Sequence, residues 1–239
     1  MAAAATIAFV PMAARAIDTP ACVTSPIRAQ QVAASDSAMV ATLQAALGEV
    51  AVPESVKLIF ARLTAANSAE PARDYKLLGY RGPAFTAHAA APGVVLVSDR
   101  LWTEAGRSES DIAAVLAHEL AHLQLAHSHI AGCRALKFVD SEEWDIGAAV
   151  QAVLKVAKKE PSVAQAWNTM QQRFEFEADA LGLTFLRRAG YDPRALPRLL
   201  RRLSERSDSA ERDAQTTAST HPALQRRIEA AERHLTRDH

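Results

Sequence analysis

The sequence predicts an α+β fold, mostly helical, with one small antiparallel three-stranded sheet. Three observations carry that reading. Of the 239 residues, 49% are hydrophobic, only 5% are aromatic and just 9 are glycine, an Ala-rich composition that leans towards helix. Apolar residues recur at three- and four-residue spacing over most of the chain, with capping residues at the heads of the runs. Between Tyr75 and Ser98 that period gives way to short apolar segments broken by Gly79, Gly82-Pro83 and Pro92-Gly93.

Residues 1–34 read as an N-terminal tail and 35–239 as one domain. Within the tail, Met1–Ala16 holds a modest apolar segment ending in Ala14-Arg15-Ala16, an A-x-A pattern of the kind found at signal cleavage sites, without the usual basic residue ahead of it. The first helix is expected over Ser35–Val50, with Ser35 or Asp36 as cap, and the second over Pro53–Ala66, with Val56, Ile59, Phe60 and Leu63 on one face. Tyr75–Gly79, Ala84–Ala90 and Val94–Ser98 are the three strands. A helix then starts at the cap cluster Ser108-Glu109-Ser110-Asp111 and runs to about His129, with Gly132 marking its end. Further helices are expected over Asp145–Lys159, Val163–Ala189, Arg194–Arg206 and Pro222–Leu235, with a polar connection at Ser207–Ser219.

Charge and cysteine content narrow the function classes. Lys+Arg and Asp+Glu are 27 each, a net charge of +0, which argues against a chain that binds nucleic acid through phosphate contacts. No apolar run reaches the roughly 18 residues of a membrane span. Cys22 and Cys133 form no CxxC, so a thiolate metal site is not expected; two separate thiols is the simpler reading, and one disulfide the reading for an exported chain. The signal-like segment makes a periplasmic or otherwise exported location the expectation, with the cytoplasm as alternative.

The chemistry centres on His118-Glu119-Leu120-Ala121-His122, an HExxH inside a helical pattern. On a helix, positions i and i+4 project from one face about 40° apart, so both imidazoles reach one metal ion, with the glutamate flanking it. A catalytic zinc takes three protein ligands and keeps one position for water. His127 falls about 140° off the ligand face, and His129 lies about 10 Å along the axis from His122, so neither serves as third ligand. Glu175 is the better candidate. Glu175 and Asp179 stand at i and i+4 on a face that also carries Ala178 and Gly182, small enough for another helix to come close, while Glu177 points away towards Arg173. Asp179 is then placed to accept a hydrogen bond from the far nitrogen of a ligand histidine.

This ordered set resembles the M48 family of zinc metallopeptidases. The resemblance rests on His118–His122 and on Phe174-Glu175-Phe176-Glu177-Ala178-Asp179, and covers roughly 53–235. Gly93–Ser98 is similar to the strand before the active helix, Ala189-Gly190-Tyr191-Asp192-Pro193 to the segment after the ligand helix, and Ser219-Thr220-His221-Pro222, with Arg226 or Arg227 and Ile228 beyond, to a late His-Pro motif. It implies a zincin-like active helix beside the sheet, one Zn2+ per chain held by His118, His122 and Glu175, and Glu119 as general base. It also singles out His221, as a donor to the oxyanion or as a residue that covers the metal. The expected function is a zinc endopeptidase acting on unfolded or misassembled polypeptides, laid extended along strand 94–98. The rivals are a catalytically silent chaperone or adaptor on the same fold and a small-molecule hydrolase. No nucleic-acid partner is expected.

Overall fold

The computed structural model describes residues 20–67, 74–82, 86–90, 93–103, 108–139, 145–211 and 224–237. In chain order the elements are α1 (Pro20–Thr24), α2 (Pro26–Leu47), β1 (Glu49–Val50), α3 (Glu54–Asn67), β2 (Lys76–Tyr80), β3 (Ala87–Ala90), β4 (Val94–Ser98), α4 (Arg100–Thr103), α5 (Glu109–Gln124), α6 (His127–Val139), α7 (Ile146–Ala157), α8 (Pro161–Arg188), α9 (Ala195–Glu211) and α10 (Leu224–Arg237). The architecture is α+β and mostly helical, as its composition implies.

The sheet differs from expectation. It has four strands in the order β1-β2-β4-β3, and it is mixed: β2 pairs parallel with β4, whereas β1–β2 and β3–β4 are antiparallel. The register sets Leu78 and His88 on either side of Leu96. Burial explains the order. Val95, Leu96 and Val97 are fully buried, as a continuous apolar run is when both of its faces are covered, so β4 is interior. The small residues of Ala87-His88-Ala89-Ala90 form the outer strand β3. Both sides of the 94–98 strand are therefore paired, and a substrate cannot add to it as expected; the outer edge belongs to β3.

Two helix boundaries also move. The helix expected from Ser35 begins at Pro26, with the Ser25 side chain accepting from the Arg28 backbone N–H at 3.4 Å. The helix expected to run from Ser108 to about His129 is two helices, α5 and α6, broken at Ala126, which takes φ 53°, the left-handed region. Gly132 does not end a helix. It lies inside α6, where an added Cβ would come within 2.5 Å of Ile146 Cγ2, so the missing side chain lets α7 pack close. The cap cluster before α5 forms a full capping box: Ser108 Oγ accepts from Asp111 N–H, and Asp111 Oδ2 accepts from Ser108 N–H, each at 3.2 Å. Asp145 caps α7. The polar connection expected from Ser207 is helical to Glu211; its remainder lies outside the described residues.

The largest apolar core lies between α3, α5, β4, α8, α9 and α10. A second core joins α2, α6, α7 and α8 through Val32, Ile146, Val153, Trp167 and Phe174. Cys22 and Cys133 are disulfide-bonded, tying α1 to α6, so the two cysteines are not separate thiols. Among the described residues, no helix is long and apolar enough to cross a membrane.

Candidate metal centre

The site forms where α5 crosses α8. Small residues permit the approach: Ala117, Ala121 and Ala178 are fully buried, and a Cβ on Gly182 would stand 3.4 Å from the His118 backbone nitrogen. Two helices this close bring an i,i+4 pair on one against an i,i+4 pair on the other.

His118, His122 and Glu175 each turn one ligand atom to a common point, and those atoms lie within 4.8 Å of one another. His118 Nε2 and His122 Nε2 are 3.1 Å apart, and the Glu175 oxygens stand 3.5 Å from the first and 3.6 Å from the second. Two imidazole nitrogens and a carboxylate oxygen at this spacing form a donor set that suits a divalent metal with borderline preference, zinc foremost.

The surrounding groups hold the donors. Asp179 Oδ1 is 3.0 Å from His118 Nδ1, the nitrogen turned away from the triad. Arg227, on α10, reaches two carboxylates of α8: its Nε and Nη2 donate to Asp179 at 2.7 and 2.8 Å, and its Nη1 lies 2.7 Å from Glu175 Oε2. On the other side, His122 Nδ1 is 2.9 Å from His127 Nδ1, and His127 Nε2 is 3.3 Å from Glu177 Oε2. Glu177 Oε1 accepts from Arg173 Nε at 2.6 Å.

Burial and charge shift the titrating groups strongly. Burial lowers the His118 pKa, but Asp179 and Glu175 outweigh it and push the imidazole up to about 10. Burial raises Glu119 to about 7; the charge of His118 and a backbone hydrogen bond from Ala89 act against that rise, while Glu175 adds to it. His122 is pushed down to about 3 by burial and then by the charge of His118. Arg227 and His118 hold the Asp179 carboxyl below its usual range against the burial that raises it.

The structure thus brings His118, Glu119, His122, Glu175 and Asp179 together, and leaves His129 outside the triad. His221 lies outside the described residues. Two participants were not singled out from the sequence. The sequence does not decide between Arg226 and Arg227; the structure buries Arg227, on the stripe of α10 that carries Ile228 and Ala231. An arginine on an apolar stripe is itself a signal of a buried acidic partner. A continuous helix would carry His127 off the ligand face; the break at Ala126 instead sets it against the far nitrogen of His122.

Two cavities flank His122. One, about 710 Å3, is lined by Val23, Ala29, Tyr75, Lys76 and Leu123 among others; the smaller, about 270 Å3, is lined by Ile146, Val150, Trp167 and Phe174. Val32 of α2 borders both.

Residues 53–235 match the model of peptidase family M48. The chain is similar to the beta-barrel assembly-enhancing protease of Escherichia coli (strain K12), 28% identical over 134 residues, which are 51% of this chain and 26% of that protein. It is similar to the protein of the same name from Yersinia pestis, 28% identical over 134 residues, 52% of this chain and 27% of the relative. The mitochondrial metalloendopeptidase OMA1 of Schizosaccharomyces pombe is 34% identical over 138 residues, 54% of this chain and 37% of that protein. The chain therefore spans only about a quarter to a third of the length of these relatives.

Proposed function

The chain belongs to peptidase family M48, and from that premise we propose that it is a zinc-dependent endopeptidase cleaving unfolded or misassembled polypeptides. The observation that carries the reading is the convergence of His118, His122 and Glu175 beside a buried Glu119. His118, His122 and Glu175 would hold one zinc per chain, and a zinc ion there supplies a Lewis acid that polarises the scissile carbonyl and acidifies water. Glu119 takes the proton of the attacking water and gives it to the leaving amine. Its burial beside the candidate ligands places the carboxylate to pass that proton. Asp179 orients His118, and Arg227 fixes Glu175 and Asp179 together.

The substrate lies extended along β3. That strand is the outer one, and its Ala89 hydrogen-bonds Glu119, so a chain added to this edge passes the base. Backbone pairing tolerates many sequences, which suits unfolded substrates. The silent-adaptor reading is less favoured because all three candidate ligands and Glu119 are present and gathered. The Cys22–Cys133 disulfide supports an exported, periplasmic setting, where such bonds persist.

The test is cleavage of reduced, unfolded casein by the purified protein. The expected result is cleavage that a chelator abolishes and added zinc restores. Cleavage indifferent to the chelator would overturn the metal reading, and zinc binding without any cleavage would favour the adaptor.

A further inference from the structure

The row of contacts behind His122 has no part in the proton transfers just described, yet each of its members is held. The ring of His127 is 4% exposed and stacks on Phe174, with centroids 4.2 Å apart and planes 13° from parallel. Its two nitrogens meet two different partners, His122 at 2.9 Å and Glu177 at 3.3 Å. Ala126 adopts a left-handed conformation, which an L-residue takes at a cost, immediately before it.

From this geometry we infer that His127 is a positioning residue that fixes the orientation and tautomer of the metal ligand His122. The inference rests on the metal-site reading above. Proton placement leaves one consistent arrangement. His122 faces the triad with Nε2, so a neutral His122 carries its proton on Nδ1. Two ring nitrogens 2.9 Å apart share one proton, so His127 Nδ1 is the acceptor. The proton of His127 then sits on Nε2, directed at Glu177, whose other oxygen takes a hydrogen bond from Arg173. The direction is set from the surface inwards: Arg173 fixes Glu177, Glu177 fixes His127, and His127 fixes the ligand. His118 receives the corresponding support from a carboxylate, Asp179.

The test measures the zinc dissociation constant of the full chain by competition with a chromophoric chelator, alongside the melting temperature of each metal-free variant. His127→Phe keeps the stack on Phe174 but removes both nitrogens; the expected result is zinc binding weaker by about 10- to 100-fold, with metal-free melting little changed. His127→Asn places an amide oxygen where Nδ1 stands and is expected to recover most of that loss. His127→Gln reaches the position of Nε2 instead and is expected not to. Wild-type zinc affinity in His127→Phe, or equal weakness of the Asn and Gln variants, would overturn the inference. Should His127→Phe fail to fold, Glu177→Ala serves, because that side chain is 37% exposed; zinc affinity unchanged there would also overturn it. A wild-type protein that binds no zinc refutes the metal-site reading and this inference together, whereas zinc-binding wild type with indifferent variants refutes only the role of His127.

Discussion

Replacing Arg227 by methionine takes the guanidinium from buried Asp179 and half-buried Glu175 and leaves His118 as their remaining cationic partner. Asp179 is 3% exposed and takes two hydrogen bonds from the guanidinium, at 2.7 and 2.8 Å; Glu175 lies 2.7 Å from its third nitrogen. Methionine fills much of the same volume, so the loss is of charge and hydrogen bonds and not of packing. Breaking a buried ion pair from one side costs at most about 3–5 kcal/mol, the full figure applying where the remaining charge is left without any partner, and His118 keeps part of it here. For a chain of this size each kcal/mol lowers the melting temperature by roughly 2–4 °C, so Arg227→Met is expected to melt up to about 20 °C below wild type in the presence of a chelator. Excess zinc narrows the gap, because a cation beside Glu175 returns positive charge and binding favours the folded state. Adding Asp179→Asn to the variant removes one of these carboxylate charges and recovers part of the loss. Calorimetry with chelator and with zinc checks all three. Melting of Arg227→Met within about 2 °C of wild type in chelator would show that the guanidinium is not what holds the two carboxylates.

Other perturbations follow from the same contacts. His118→Ala is expected to lose both zinc and cleavage, read by metal analysis and by casein digestion. Asp179→Asn is expected to weaken zinc by about 10- to 100-fold in a competition titration without abolishing it. Converting both Cys22 and Cys133 to serine opens a loop of 111 residues and is expected to cost about 2–5 kcal/mol by denaturant unfolding. His221→Ala separates two roles by steady-state kinetics: kcat falls by about 10²–10³ for an oxyanion donor and rises for a residue that covers the metal.

The elements of the site that could be read from the sequence are local. His118 with His122, and Glu175 with Asp179, each sit four residues apart, so a helical period alone faces each pair one way. The Ser108–Asp111 cap and the small residues Ala178 and Gly182 are equally local signals, and the structure uses them at the head of α5 and at its contact with α8. What escaped was non-local or lacked a residue signature. The parallel pairing of β2 with β4 joins segments separated by β3 in the chain, and no turn type announces it. Its one clue was composition: Val94-Val95-Leu96-Val97 has no polar alternation, as a strand buried on both faces requires. The break between α5 and α6 falls on Ala126, an alanine where a glycine or asparagine usually marks a left-handed turn, and so the helix read as continuous. That one residue hid the approach of His127 to His122. Arg227 was hidden differently, since its partners lie on another helix some fifty residues away.

The most direct test of the central claim compares wild type with Glu119→Gln for zinc content and for casein cleavage. Glutamine is nearly isosteric and leaves His118, His122 and Glu175 untouched, so both proteins are expected to carry one zinc per chain, as implied by the single triad found among the described residues. Only the wild type is expected to cleave, because the group that moves the proton is gone from the variant. Cleavage by Glu119→Gln within about tenfold of wild type would contradict the assignment of Glu119 as the base, and a zinc-free wild type would contradict the metal centre itself.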